Sequence, residues 1–297
     1  SDTADSVSTL SRVSMDKKAT MNNQPPAQAS IDKTLGIATL CIDFPPVNTM
    51  SGDHGVPQHI SRLLRQLNDD NDVQAIAIYS AGRMFSAGAD ISEFRGNPDT
   101  DGGPLRALLE TMDSMAKPVV IAMHGMAFGG GLEFALCAHY RIAHENTKIG
   151  LPEVTLGLLP GGGGTQRLPR LTGMDVAIDL VTSGRTISAT KALEYSLVDE
   201  LFDSDVRSAA ISYAKRLIET KAVVRRVRDI QLAPVDDSVF ASVAEKLAKS
   251  ANRNPGPLKA LECLRSAAKM PFDQSLAFEY DAFDQLVQHP QSRGICH

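Results

Sequence analysis

The sequence has 297 residues, of which 43% are hydrophobic and 22% are charged. This length allows one large domain or two small ones, and the composition is that of a soluble globular protein, which excludes a chain disordered throughout and a collagen-like or low-complexity chain. Thirty basic against 35 acidic residues give a formal net charge of −5, which argues against a general nucleic-acid-binding protein because such proteins usually carry a basic face. No apolar run reaches the roughly 18–20 residues that a membrane-spanning helix needs.

The four cysteines are scattered along the chain, without a C-x-x-C pair and without histidines at zinc-ligand spacing. Isolated cysteines of this kind are typical of reduced thiols in a cytosol-like compartment. We therefore predict a cytoplasmic protein without a metal site, which either uses no cofactor or uses a dissociable one.

The N-terminal segment, residues 1–28, is polar, rich in Ser, Asp and Asn, and without periodicity. This composition predicts a disordered leader. Its acidic residues argue against a transit peptide, and it has no apolar core of a secretory signal. The globular body is expected to start after residue 28, with its first strand at residues 35–43.

Predicted strands and helices alternate through the first half of the chain. Apolar runs at residues 35–43, 73–80 and 118–125 predict strands, and helical spacing of apolar residues is found at 60–67 and 105–115. This alternation predicts an α/β fold in which helices pack outside a parallel sheet.

The second half is different, because from residue 174 to the end the apolar pattern is almost wholly helical. We predict a catalytic core over residues 29–202 and a helical C-terminal region over residues 203–297. The helical region would serve as a cover, an oligomerisation surface or a linker.

Three glycine-bearing turns follow predicted strands, at residues 87–90, 129–133 and 160–165. None fits the P-loop or the dinucleotide-binding pattern, so a nucleotide site is unsupported. A small-residue turn that leads into a helix leaves backbone N–H groups free. Two such turns facing each other would form an oxyanion hole, although for any one of them taken alone a tight turn with positive φ is the simpler explanation.

Two glutamates lie beside these turns. Glu133 is expected in the first turn of a helix, where an acidic residue also complements the helix dipole, and Glu153 follows a short apolar strand, where a surface carboxylate or an N-cap is the simpler explanation. As a pair in an apolar wall they would have raised pKa values. They could then hold one water and exchange protons with it.

Four motifs resemble the crotonase (enoyl-CoA hydratase/isomerase) superfamily: FSAGADI at 85–91, the segment 124–133 that ends in GGGLE, LPEV at 151–154, and GGTQRL at 163–168. The resemblance runs from about residue 35 to residue 201. It implies a crotonase-like fold of repeated ββα units that binds a bent acyl-CoA thioester. Coenzyme A is then part of the substrate, and no other cofactor is implied.

The resemblance also implies roles for single residues. The N–H groups of Ala89 and Gly130 would form the oxyanion hole, Glu133 would activate the water that adds at C3, and Glu153 would exchange the proton at C2. Further substrate- or CoA-binding positions are Ala87, Asp90, Ile91, Gly129 and Pro152.

Both carboxylate positions of the hydratase branch are occupied, so the predicted reaction is hydration of a trans-2-enoyl-CoA to a 3-hydroxyacyl-CoA, as in fatty-acid β-oxidation. The alternatives are an enoyl-CoA delta isomerase or another crotonase-type acyl-CoA lyase, and, less favoured, a non-catalytic CoA-binding module. The expected partner is the acyl-CoA, with no nucleic acid and no membrane. The resemblance further implies a homo-oligomer, a trimer or a hexamer.

The C-terminal residues 257–259, 270–273, 276–279 and 290–293 resemble the linker that follows the hydratase module in bifunctional fatty-acid oxidation enzymes. In those proteins a 3-hydroxyacyl-CoA dehydrogenase follows. The chain is then either an excised module or a protein without the second activity. This segment could also fold back and cover the site within one chain.

Overall fold

The computed structural model describes residues 24–90, 93, 103–250 and 254–290. Its elements alternate between strands and helices up to β9 and are helical afterwards. In chain order they are β1 (Ala27–Asp32), β2 (Ile37–Ile42), α1 (Val56–Asp69), β3 (Ala75–Ser80), α2 (Gly103–Asp113), β4 (Val119–Met123), β5 (Met126–Phe128), α3 (Gly129–Cys137), β6 (Tyr140–His144), β7 (Lys148–Gly150), a 3-10 helix (Pro152–Leu156), α4 (Gly164–Thr172), α5 (Met174–Ser183), β8 (Ile187–Ser188), α6 (Ala189–Glu194), β9 (Glu200–Phe202), α7 (Val206–Glu219), a second 3-10 helix (Val227–Asp229), α8 (Asp237–Ser250), α9 (Gly256–Lys269) and α10 (Phe272–Gln288).

The strands form a six-stranded sheet in the order β1-β2-β3-β4-β6-β9 and a three-stranded sheet in the order β5-β7-β8. All pairs in the larger sheet are parallel except β1 with β2. The predicted α/β class is confirmed. The apolar runs at β2, β3 and β4 are continuous because parallel strands are buried on both faces.

The two faces of the larger sheet carry side chains of different size. In β3, Ile76 and Ile78 belong to the main core with α1, α2 and α3, whereas Ala75 and Ala77 face α7. This division follows from the two-residue period of a strand. The small side chains on the α7 face allow that helix to lie close to the sheet.

The predicted leader overlaps the fold at its end, because β1 begins at Ala27. Ala27 pairs with Ile42 at the sheet edge, so residues 27 and 28 belong to the fold and β1 precedes the first predicted strand. In β1 only Ala27 is buried, and Gln28, Ala29 and Ser30 are exposed. An edge strand with so little buried surface has no apolar alternation to reveal it.

The C-terminal helices fold back on the core. Helix α9 packs against α4 and α5, and α10 packs against α9 and α4. In this part of the chain Ala282, Phe283 and Leu286 of α10 are buried in the main core. Among the described helices, none combines the length and the apolarity required to cross a bilayer.

Candidate active site

A cavity of about 410 Å³ lies where the N-terminus of α3 meets α10. It is lined by the turn at residues 87–89, the first residues of α3, the Pro152–Leu156 helix and one residue of α10, Phe283. Its volume falls within the range of small-molecule sites. Apolar lining is supplied by Met50, Leu105, Leu156, Leu158 and Phe283.

The turn at residues 86–89 is held against β5 by hydrogen bonds. Ser86 N donates to Met126 O, and Phe128 N donates to Ser86 O, both at 3.1 Å. The Ser86 hydroxyl donates to Asn48 O at 2.7 Å and accepts from Gly88 N at 3.1 Å. Because β5 continues directly into α3, these bonds place the turn beside the N-terminus of α3.

Close backbone approach at this place requires Gly88. Its φ is +100°, and a Cβ there would lie 2.9 Å from Phe128 O. A Cβ on Gly130 would lie 3.4 Å from Ala89 N, and Gly130 is the second residue of α3, so its N–H has no acceptor within the helix. The two predicted oxyanion-hole residues, Ala89 and Gly130, therefore lie side by side in the cavity lining.

Glu133 is buried, with 2% of its surface exposed. The prediction put it in the first turn of a helix, but α3 starts at Gly129 and Glu133 is its fifth residue. Its Oε1 instead accepts hydrogen bonds from Gly162 N at 2.7 Å and Gly164 N at 2.9 Å, at the N-terminus of α4. Burial raises the pKa of Glu133, opposed by these two N–H groups and then by the charge of Arg167.

Glu153 is the second residue of the Pro152–Leu156 helix and is half-buried. Its Oε2 is buried and has no hydrogen-bond partner among the described residues, and a Cβ on Gly129 would lie 3.1 Å from its Oε1. Burial, and after it the negative charge of Glu133, raise the pKa of Glu153 well above its usual range. The carboxyl thus lies against the start of α3.

The two carboxyls differ in their hydrogen bonding and therefore in the proton each prefers to hold. Glu133 accepts two N–H donors, which favours its ionised form, whereas Glu153 has an unpartnered buried oxygen beside another carboxylate, which favours its neutral form. Such a pair can remove a proton from a water and give a proton to a second atom.

A third buried glutamate, Glu279 of α10, lies beside this pair, and it was not identified as a site residue from the sequence. Its Oε1 accepts from Gly163 N at 2.6 Å, and its Oε2 accepts from Thr165 N at 3.0 Å and from the Thr165 hydroxyl. Burial, with the charge of Glu133, raises its pKa to about 8. The available signal was a charged residue on an otherwise apolar helix face, between Leu276 and Phe283.

Helix α10 also closes one side of the cavity. Phe283 approaches so closely that a Cβ on Gly161 would lie 2.4 Å from its ring. Arg106 of α2, itself a lining residue, bonds Asp284 at 2.9 Å and lies 4.0 Å from the centre of the Tyr280 ring. The C-terminal segment therefore covers the site within one chain, which was one of the alternatives for this segment in the sequence analysis.

The remaining predicted binding residues divide into three groups. Ala87, Gly129 and Pro152 line the cavity, and Asp90 does not. Ile91 lies outside the described residues. No group of three or more His, Cys, Asp or Glu side chains in residues 24–90, 93, 103–250 and 254–290 is placed to hold a metal ion.

Comparison with known proteins identifies the family. The family profile described as enoyl-CoA hydratase/isomerase matches residues 32–254. The peroxisomal bifunctional enzyme of Homo sapiens is 42% identical over 264 residues, which cover 87% of this chain and 36% of the human protein. A Bacillus subtilis protein named "Probable enoyl-CoA hydratase" is 46% identical over 167 residues, covering 54% of this chain and 64% of that protein. The chain thus spans 36% of the length of the human relative.

Solved structures agree on the fold. The crystal structure of enoyl-CoA hydratase from Bacillus halodurans matches with a TM-score of 0.67 and 19% identity, covering 92% of this chain and 99% of that chain. The predicted crotonase-type fold is confirmed, and the family match extends beyond residue 201, where the motifs ended, into the C-terminal helices. The chain belongs to the enoyl-CoA hydratase/isomerase family.

Proposed function

We propose that this chain hydrates a trans-2-enoyl-CoA to the 3-hydroxyacyl-CoA, a step of fatty-acid β-oxidation. The observation that carries the proposal is that Glu133 and Glu153 line the same cavity as the adjacent residues Ala89 and Gly130. One side supplies two carboxyls for proton transfer, and the other supplies backbone N–H donors for an oxygen that gains charge.

In this proposal the thioester oxygen accepts hydrogen bonds from Ala89 N and Gly130 N. Addition of water oxygen to C3 moves the electrons of the double bond through C2 onto that oxygen, which becomes an enolate. The two N–H groups stabilise the enolate more than the neutral thioester, and this difference lowers the barrier. Ala87, Gly129 and Pro152 shape the wall around the thioester.

The two glutamates complete the proton balance. Glu133, ionised on Gly162 N and Gly164 N, accepts a proton from the attacking water, and Glu153, neutral in its buried position, gives its proton to C2. The product contains both elements of one water. A proton then passes from Glu133 to Glu153 through solvent, which restores the starting states.

The two buried carboxyls favour hydration over isomerisation and over a non-catalytic role. A double-bond isomerase needs one carboxyl to carry a proton between C2 and C4, whereas this cavity contains two buried carboxyls with different hydrogen bonding. A non-catalytic CoA-binding module has no need for an unpartnered buried carboxyl oxygen, which is costly to desolvate.

The proposal extends to the substrate, the oligomeric state and the location. The names of the relatives support an acyl-CoA substrate. A homotrimer or hexamer follows from the resemblance to the family and is tested by light scattering. A cytoplasmic location rests on the cysteine pattern, while the human relative is named as peroxisomal.

The test is loss of the enoyl-thioester absorbance of crotonyl-CoA. The wild-type chain should hydrate it, and Glu133→Gln and Glu153→Gln should each lower kcat by about 10²–10⁴-fold, the range for a general acid or base. Phe240→Leu, in the buried core and outside the cavity lining, is the control for folding. Wild-type rates in either glutamine variant would contradict the assigned roles.

A further inference from the structure

The glycine turn before α4 is bound by two buried carboxylates from different helices. Gly162 N and Gly164 N donate to Glu133 of α3, whereas Gly163 N and Thr165 N donate to Glu279 of α10. The donors alternate along the backbone, so each carboxyl binds every second residue of the turn. Loss of either carboxyl would leave two N–H donors of the turn without those acceptors.

The shape of this turn requires glycine at two positions. Gly163 adopts φ +90°, and a Cβ there would lie 2.0 Å from Nη1 of Arg167. A Cβ on Gly162 would lie 2.8 Å from Oε2 of Glu133. The turn therefore lies directly against the carboxyl of Glu133, and its position determines where that carboxyl points.

We propose that Glu279 is a positioning residue for the reaction, which holds the turn at residues 161–164 so that Glu133 presents its carboxylate to the cavity. This inference rests on the proposed hydration. Glu279 does not line the cavity, so it acts through the turn and not on the substrate. Helix α10 is then part of the catalytic apparatus and not only a cover.

The charge of Glu279 also reaches the second carboxyl. The groups whose pKa it raises are Glu153 of the Pro152–Leu156 helix, Cys263 of α9 and Tyr280 of α10. The charge of Glu133 in turn raises the pKa of Glu279. Above about pH 8, where Glu279 loses its own proton, its negative charge contributes to the raised pKa of Glu153 and so helps Glu153 to keep its proton.

The cations beside this group are on the Glu133 side. Arg167 of α4 and Arg106 of α2 both favour the ionised form of Glu133. Arg167 also donates to Gly162 O at 3.2 Å and bonds Asp113 at 2.5 Å. Removing the Glu279 charge leaves these cations in place, so its effect on Glu153 can be measured separately.

Two variants separate position from charge. Glu279→Asp keeps an ionisable carboxyl but shortens the side chain by one methylene, and Glu279→Gln keeps the length but cannot ionise. We expect both to lower kcat by about 10–100-fold, the cost of misplacing a reacting group by about 1 Å, with KM changed less than kcat. Only Glu279→Gln should move the alkaline limb of the pH profile of kcat to lower pH, because Glu153 then loses its proton more readily.

Leu286→Ala is the matched control, since it loosens the buried face of α10 without removing any acceptor of the turn. It should lower the Tm without moving the pH profile. Equal changes in kcat and in the pH profile for Leu286→Ala and Glu279→Gln would reduce Glu279 to a packing role and overturn the proposal, as would wild-type kinetics in the Glu279 variants. If Glu279→Gln does not fold, the kcat of Glu279→Asp tests the proposal by itself, and a wild-type kcat in that variant overturns it.

A second readout does not depend on hydration. Amide hydrogen exchange, followed by NMR in the protein without substrate, reports on Gly162 N and Gly164 N, which donate to Glu133 and not to Glu279. We expect Glu279→Gln to speed the exchange of both amides more than Leu286→Ala does, because the turn is then held by one carboxyl only. Unchanged exchange at Gly162 and Gly164 overturns the proposal, whereas faster exchange in Glu279→Gln of a chain that does not hydrate crotonyl-CoA refutes only the proposed function.

Discussion

The two turns that meet at the cavity are held in contrasting ways. The turn at residues 86–89 is fixed by backbone bonds to β5 and by one neutral hydroxyl, that of Ser86. The turn at residues 161–164 is fixed by two buried carboxylates, Glu133 and Glu279. We expect the first arrangement not to respond to pH, because no titratable side chain takes part in it. The second depends on two groups that can ionise, from α3 and α10.

The largest expected effect comes from adding a side chain within the turn at residues 161–164. Gly163→Ala combines a left-handed residue with a Cβ 2.0 Å from Arg167, and we expect it to lower the free energy of unfolding by roughly 2–5 kcal/mol. Urea denaturation measures this change. Gly55→Ala is the matched control, since Gly55 has a similar backbone conformation with nothing within 4 Å of its Cβ position.

Gly55→Ala should cost only the strain of the left-handed residue, about 1–2 kcal/mol. Equal losses for the two variants would show that the space around Gly163 does not matter. The comparison between the two turns would then lose its steric basis.

The second effect is a pH dependence of the free energy of unfolding, to which Glu279, bonded to the turn at residues 161–164, contributes. The pKa of Glu279 rises on folding from 4.5 to about 8, so the folded chain binds more protons than the unfolded chain between these values. The free energy of unfolding contributed by this group therefore falls as pH rises from 4.5 to 8. We expect the fall to be shallower in Glu279→Gln, measured by urea denaturation at several pH values.

Glu133 and Glu153 also have raised pKa values and remain in that variant, so some decline with pH should persist. A Glu279→Gln curve that runs parallel to the wild type would mean that the folded chain does not bind this proton.

The smallest effect is expected in the backbone-held turn. Ser86→Ala removes one donor and one acceptor from a buried site and leaves Asn48 O and Gly88 N without those partners. We expect a loss of about 1–3 kcal/mol, the same at every pH, because no titratable side chain takes part. A loss that grows or shrinks with pH would refute the contrast between the two turns.

The site residues that could be predicted from the sequence all lie in or beside local motifs. Ala89, Gly130, Glu133 and Glu153 lie in or beside short glycine-rich motifs, and the structure places all four in the cavity lining. Local patterns of this kind largely determine their own backbone conformation, because a small-residue turn before a helix has few conformations.

The parts that escaped prediction depend on contacts far apart in the chain. Glu279 reaches Gly163 across 116 positions, and a single charged residue in an amphipathic helix gives no hint of its partner. The edge strand β1 buries only Ala27 fully and so lacks alternation. The bonding of Glu133 to α4, and not to the dipole of its own helix, likewise needed the tertiary structure.

The most direct test of the proposed reaction is isotope incorporation from solvent, followed by mass spectrometry. With crotonyl-CoA in ¹⁸O-labelled water, the wild-type chain should give a 3-hydroxyacyl-CoA that carries ¹⁸O at C3, and in D₂O the product should carry one deuterium at C2. Glu153→Gln should form neither product at a comparable rate. A wild-type chain that shifts the double bond of a 3-enoyl-CoA but never incorporates ¹⁸O would contradict hydration as its activity.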